Sequence, residues 1–218
     1  NGVYTGLDTG SHYQYVWVNG GSNNITAVQE GTNYQPQFGV IAVNGTGNNI
    51  QQTQTGSASH QSFINVSGNY NTALGWNSLL VNTSGDLNVS IGDSAMLANT
   101  TGASNTAVGQ AALGTNTTGS ENVAIGRAAL VQNTTGSYNT ALGRWSLYSN
   151  TTASNNTAVG YQAGYSNQTG NNSVAIGTQS LYSATVGGNT AATLRSYSDT
   201  LAATAYSNAV STVSLVFI

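Results

Sequence analysis

The sequence predicts an all-β fold whose centre is a parallel β-solenoid or β-roll of 17-residue coils. Two observations predict it. Gly75, Gly92, Gly109, Gly126, Gly143, Gly160 and Gly177 are each 17 residues apart, and seven copies of N-[T/V]-A-[V/I/L]-G-x-x-[A/S]-L-x-x-N-T-T-G-x-x fill residues 71–189 without insertion or deletion. That period is too short for two packed helices, which need about 33 residues per repeat. "TAVG" alternates instead, between Asn and Gly turn residues, and "NTTG" is a second turn with no apolar residue. Each copy therefore reads as one coil, stacked on the next about 4.8 Å away, and seven coils make a rod roughly 34 Å long.

Taken in chain order, residues 1–70 are an irregular β-rich region. "YQYVWV" (13–18), "FGVIAV" (38–43) and "SFINV" (62–66) read as strands between Asn/Gly turns. Gly68 lies one period before Gly85, which predicts a degenerate coil ahead of the array. The remainder is either more of the same β-structure or a separate small β-domain. Residues 71–189 form the array itself. Residues 190–218 lose glycine and gain helix formers, with Leu194, Leu201, Asn208 and Leu215 seven apart. That spacing fits a short C-terminal helix, either entering a coiled coil with Asn208 fixing register or acting as an ordinary cap.

Stacking turns each repeat position into a ladder. Leu74, Ile91, Val108, Ile125, Leu142, Val159 and Ile176 are apolar throughout and are expected to be buried. Leu79, Met96, Leu113, Leu130, Leu147 and Leu181 form a second apolar ladder, with Gly164 as its exception and Tyr161 or Tyr165 as candidates to fill the gap. The ladders from Ala73 to Ala175 and from Ser78 to Ser180 carry small residues, suited to close backbone approach inside a thin coil or against another chain. Asn82, Asn99, Asn116, Asn133, Asn150 and Asn167 are expected to bond from coil to coil through their amides. The motif glycine is expected at a corner with φ > 0.

Composition excludes several functions. Of 218 residues only 4% are charged and the formal net charge is −3, so electrostatic attraction to nucleic acid or to a membrane surface is not expected. No stretch is long enough to span a bilayer, and "VSLVFI" at the end is far too short. There is no cysteine, so order must come from packing or assembly. The polar, low-complexity composition could be read as disorder, but apolar residues recurring at a fixed interval argue against it. Asn1 in place of an initiator Met is expected of a mature chain or a fragment.

Catalytic chemistry is poorly represented. His12 and His60 lack a metal-ligand partner at useful spacing, and Asp8, Glu30, Asp86, Asp93, Glu121 and Asp199 are scattered without an obvious carboxylate dyad. The serines have no partner base. The chain is therefore not expected to be an enzyme or to carry a metal or cofactor. Sequons at Asn99, Asn116 and Asn133 follow from the turn motif and read as structural. Aromatic residues are the better candidates for binding. Tyr148, Tyr165 and Tyr182 share one repeat position and should stack, while Trp76, Trp145 and Tyr161 fall just after the motif glycine. Exposed rings on a rigid rod suit stacking on sugars, and equally suit packing on loops or on a neighbouring chain.

"NTAVGQAAL" (105–113), "NVAIGRAAL" (122–130) and "NSVAIGTQSL" (172–181) resemble the head repeats of YadA-like trimeric autotransporter adhesins, and 139–170 resembles the same repeat in trimeric bacteriophage tail fibres. The resemblance covers 71–189. It implies a left-handed β-roll in an intertwined homotrimer, and the period here is longer than is usual in the adhesins. It further implies a structural and adhesive segment of a viral tail fibre at the virion tail. Its partners would be a host cell-surface glycan or protein and other virion tail proteins, with Trp76, Trp145, Tyr148, Tyr161, Tyr165 and Tyr182 as candidate receptor contacts. The alternative is the head of a bacterial adhesin at the cell surface. An ice-binding β-solenoid is a third reading, motivated by the pairs Thr100–Thr101, Thr117–Thr118 and Thr134–Thr135, and weakened where Gln168 and Val186 interrupt them.

Overall fold

A computed structural model describes residues 13–30, 38–55, 61–183 and 191–193. These form an all-β parallel solenoid with two sheets. One has four strands in the order β1 (Tyr13–Asn19), β3 (Phe38–Asn44), β5 (Gln61–Ser67) and β7 (Val81–Asn82). The other begins with β2 (Asn24–Glu30), β4 (Asn49–Thr55), β6 (Thr72–Leu74) and β8 (Val89–Ile91). It continues through β9 (Thr106–Val108), β10 (Val123–Ile125), β11 (Thr140–Leu142), β12 (Thr157–Val159), β13 (Val174–Ile176) and β14 (Ala191–Thr193).

The N-terminal strands are part of the same stack rather than a separate domain. Tyr13 pairs with Phe38 and Phe38 with Gln61, so those coils are 25 and 23 residues long. Asn49 then pairs with Thr72 and Thr72 with Val89, which brings the coil down to 17 residues. The shortening has a local cause. The early coils hold two seven-residue strands each, whereas each later coil keeps a three-residue strand and replaces the other with a run of turns. The interior narrows in step, so that Ile25 and Ile50, both buried, are succeeded in register by Ala73, Ser90 and Ala107.

The expected core ladder requires correction. Within the chain Leu74, Ile125, Leu142 and Ile176 are 37–43% exposed, and Ile91, Val108 and Val159 are only half-buried. Strand alternation explains this: the three residues of each short strand point out, in and out, and the inward place belongs to alanine. Ala73, Ala107, Ala124, Ala141, Ala158 and Ala175 are buried. Leu79, Met96, Leu113, Leu130 and Leu147 complete the interior from the opposite wall, at about 2 kcal/mol per buried side chain. The gap at Gly164 is approached by Leu147, whose Cδ2 lies 2.9 Å from where a Cβ would stand, not by Tyr161 or Tyr165.

Two asparagine ladders fasten the coils. The expected one runs from Asn82 to Asn150, each Nδ2 from Asn99 onward donating to the Oδ1 one coil before at 2.8–2.9 Å and to a carbonyl three residues on. It stops before Asn167, whose side chain, among the described residues, bonds only Gly170. The second, at the first position of the motif, runs through Asn23, Asn48, Asn71, Asn88, Asn105, Asn122, Asn139 and Asn156. There each Oδ1 accepts the main-chain N–H of the next coil, as from Asn122 to Asn105 at 2.9 Å. The sequon residues Asn99, Asn116 and Asn133 are fully buried in this scheme, in keeping with their structural reading.

The motif glycines hold φ between 113° and 131°, and a Cβ on Gly126 would lie 2.6 Å from the carbonyl carbon of Gly143. Coil stacking itself thus demands glycine. In each of the five coils from 71 to 155 three further residues are left-handed despite having side chains, as Ala128, Leu130 and Tyr138 show with φ of 51–59°. At the C-terminal end Ala191–Thr193, expected to open a helical segment, instead form a strand in register with Val174–Ile176. The proposed seam from Leu194 to Leu215, like His12 and His60, lies outside the described residues.

Candidate functional site

The aromatic side chains gather on the coils that span 139–183. Tyr148, Tyr165 and Tyr182 each follow a core position, so the coil places them just outside the interior, half-buried. The main-chain N–H of Ser149 donates to Tyr165 O and that of Ser166 to Tyr182 O, both at 3.0 Å, which locks the three into successive rungs. Their rings stack as expected, with centroids 5.0 Å apart at both steps and planes tilted by 6° and 14°. Burial, together with the negative charge that Tyr148, Tyr182 and Tyr161 would carry on ionising, pushes the Tyr165 phenol above its ordinary value.

On the other side of the core positions, Trp145 and Tyr161 meet with centroids 5.7 Å apart at 43°. Trp145 sits at φ 62°, anchored by its N–H to Arg127 O at 3.1 Å. The Arg144 guanidinium lies over the indole at 3.7 Å from the ring centre. Tyr161 is 39% exposed. Five of the six candidate residues are therefore brought onto three consecutive coils. Trp76 is not: it stands at the repeat position of Tyr161 five coils earlier, about 24 Å along the rod at the usual strand spacing.

Other exposed groups were not singled out from sequence. Trp17, Tyr70, Leu87 and Tyr138 are all more than half exposed. Tyr70, Leu87 and Tyr138 share the final repeat position, in left-handed conformation, and a check of that column along the sequence would have found them. Arg144 was also overlooked, although Arg127 stands one period before it. Among the described residues no group of three or more His, Cys, Asp or Glu side chains is placed to hold a metal ion.

These features define a repeat solenoid with an aromatic patch near one end of its regular array. No family profile, curated protein or solved structure matches the chain.

Proposed function

We propose that the chain is a structural and adhesive segment of a homotrimeric viral tail fibre that displays or extends a surface for host attachment. One observation carries the reading. The outward face of the ten-stranded sheet bears an aliphatic residue at the same place in all seven coils, from Leu74 to Ile176. The stripe ends in polar residues at both limits, in register at Gln51 on one side and Thr193 on the other. An unbroken aliphatic column on a polar surface is what a self-associating rod requires, because a lone chain gains nothing by exposing it. The aromatic patch supplies the adhesive part, with a host cell-surface glycan or protein as partner and other tail proteins at the ends.

The same stripe would equally serve the head of a bacterial trimeric adhesin, which is the second reading. Ice binding has less support. The Thr100, Thr117 and Thr134 hydroxyls donate to carbonyls of the next coil at 2.9–3.0 Å, so only the column of Thr101, Thr118 and Thr135 faces water with free hydroxyls.

Light scattering on the purified chain tests the assembly. Three chain masses are expected. Ile125→Asp should dissociate the assembly and leave the β-signal of each chain intact, whereas Ala124→Asp, buried within the chain, should abolish the fold. A monodisperse wild-type monomer with full β-signal would sink the proposal.

A further inference from the structure

We infer that Arg127 and Arg144, with Trp145 and Tyr161, form a subsite for an anionic sugar, one bearing a carboxylate or phosphate. The inference rests on the reading that the aromatic patch meets saccharide, and adds the chemical class of that saccharide.

The chain has only three Lys and Arg residues in 218, and two of them, Arg127 and Arg144, occupy one repeat position in consecutive coils. The backbone makes them neighbours: Trp145 N–H donates to Arg127 O at 3.1 Å, and Gln162 N–H donates to Arg144 O at 3.0 Å. Arg127, Arg144 and Tyr161 are thus three successive rungs, about 4.8 Å apart. Both guanidiniums are exposed, and among the described residues neither forms an ion pair. Two like charges held side by side repel each other, and an anion lying across both relieves that repulsion.

Each guanidinium is also oriented. Arg127 donates through Nε to Gln110 Oε1 at 3.1 Å, and Gln110 Nε2 donates to Asp93 Oδ2 at 3.3 Å. This occupies the Nε–H and leaves the terminal nitrogens of Arg127 to fork an oxyanion. Arg144 lies on the indole of Trp145, which holds its plane while its N–H edge stays open. The 43° tilt between Trp145 and Tyr161 leaves ring surface uncovered beside the cations. A sugar ring stacked on Tyr161 would therefore place an acidic substituent one rung away, at Arg144. The reverse arrangement is disfavoured at the other end of the column, where Asp93 repels anions.

Glycan binding by the full chain, measured calorimetrically with three probes, tests this. The probes are an oligogalacturonide for carboxylate, an oligosaccharide carrying a phosphate monoester, and a neutral oligogalactoside. At least one acidic probe should bind more tightly than the neutral one and weaken as salt rises from 50 to 500 mM. Arg144→Gln should lower that affinity by about tenfold, the loss of one charge-assisted contact, and Arg144→Lys should restore part of it. Thr178→Ala, at the same repeat position, should leave it unchanged. Equal binding of neutral and acidic probes would overturn the inference while leaving saccharide recognition standing; binding of none would overturn both. A fall in melting temperature or in oligomer mass with Arg144→Gln would assign the arginines to an inter-chain contact instead, and that too overturns the subsite.

Discussion

Asn122→Ala removes one rung of the ladder that opens each repeat. Asn122 Oδ1 accepts the main-chain N–H of Asn139 at 2.9 Å and its Nδ2 at 3.1 Å. Its own Nδ2 donates to Asn105 Oδ1 at 3.1 Å and to Gly136 O at 2.9 Å. Alanine deletes all four, but the consequences differ. Gly136 O keeps the amide of Asn133, Asn139 Nδ2 keeps Ala153 O, and Asn105 Oδ1 keeps the main-chain N–H of Asn122. The main-chain N–H of Asn139 loses its acceptor, in a residue that is fully buried. An orphaned buried donor costs about 1–3 kcal/mol and each of the three other lost bonds about 1 kcal/mol, so the expected loss is about 4–6 kcal/mol per chain. Guanidinium unfolding followed by circular dichroism measures it, with Thr152→Ala, on the exposed turn, as the control expected to stay within about 0.5 kcal/mol. Asn122→Asp adds a second test. It retains an acceptor for Asn139 but buries a carboxylate, so the folded-state pKa rises. Its stability should be poorest at neutral pH and recover as the pH falls toward about 4. An Asn122→Ala variant that unfolds with the parent would refute the view that buried amides hold the coils together.

Two further outcomes follow from the backbone and from the tyrosine ladder. Gly126→Ala should cost about 3 kcal/mol, because φ is 131° and the obstacle is the backbone of Gly143. Gly164→Ala should cost only about 1 kcal/mol, since its obstacle is the movable end of Leu147 and the same position already holds leucine at similar φ in neighbouring coils; equal losses in paired thermal melts would contradict the stacking argument. Because the Tyr165 phenol is raised above 10.0 in the folded chain, its contribution to stability is complete below that pH and is lost as pH climbs through the folded-state value. Alkaline unfolding should then begin above pH 10, and Tyr165→Phe should flatten that limb of the pH–stability curve.

Much of the fold was legible because stacking makes sequence period and spatial period the same thing. The 17-residue spacing placed Tyr148, Tyr165 and Tyr182 in one ladder and Asn82 to Asn150 in another without reference to any coordinate. What the period does not supply is direction. It groups Leu74 with Ile125 and Ala73 with Ala124, but which group faces inward depends on the width of the coil. Hydrophobicity alone favours the aliphatic ladder, whereas a coil this narrow has room only for alanine. The N-terminal coils were obscured for a different reason. Their lengths of 25 and 23 residues give no constant interval, although Asn23, Asn48 and Asn71 carry the same amide ladder into the array. The arginine–tryptophan contact was missed because charge was judged by its total, and the total of three cations conceals that two are adjacent.

The places where the repeat breaks its own rules bear on where it functions. From Asn88 to Asn139 the ladder that opens each repeat is complete, and from Asn99 to Asn133 so is the other. Beyond that, Asn150 Oδ1 and Asn156 Nδ2 are buried without a partner, Ala153 replaces the usual glycine, and Gly164 replaces the core leucine. Each departure weakens coils whose left-handed residues with side chains already cost about 1 kcal/mol or more apiece, which neighbouring coils must offset. Apart from Asn77 Oδ1, buried without a partner on the coil of Trp76, these departures fall on the coils that present Trp145, Tyr148, Tyr161 and Tyr165. A pure spacer has no reason to relax its best packing at one end and fill the same coils with half-exposed rings. A rod that carries its binding surface there does, since residues chosen for recognition replace those chosen for stacking.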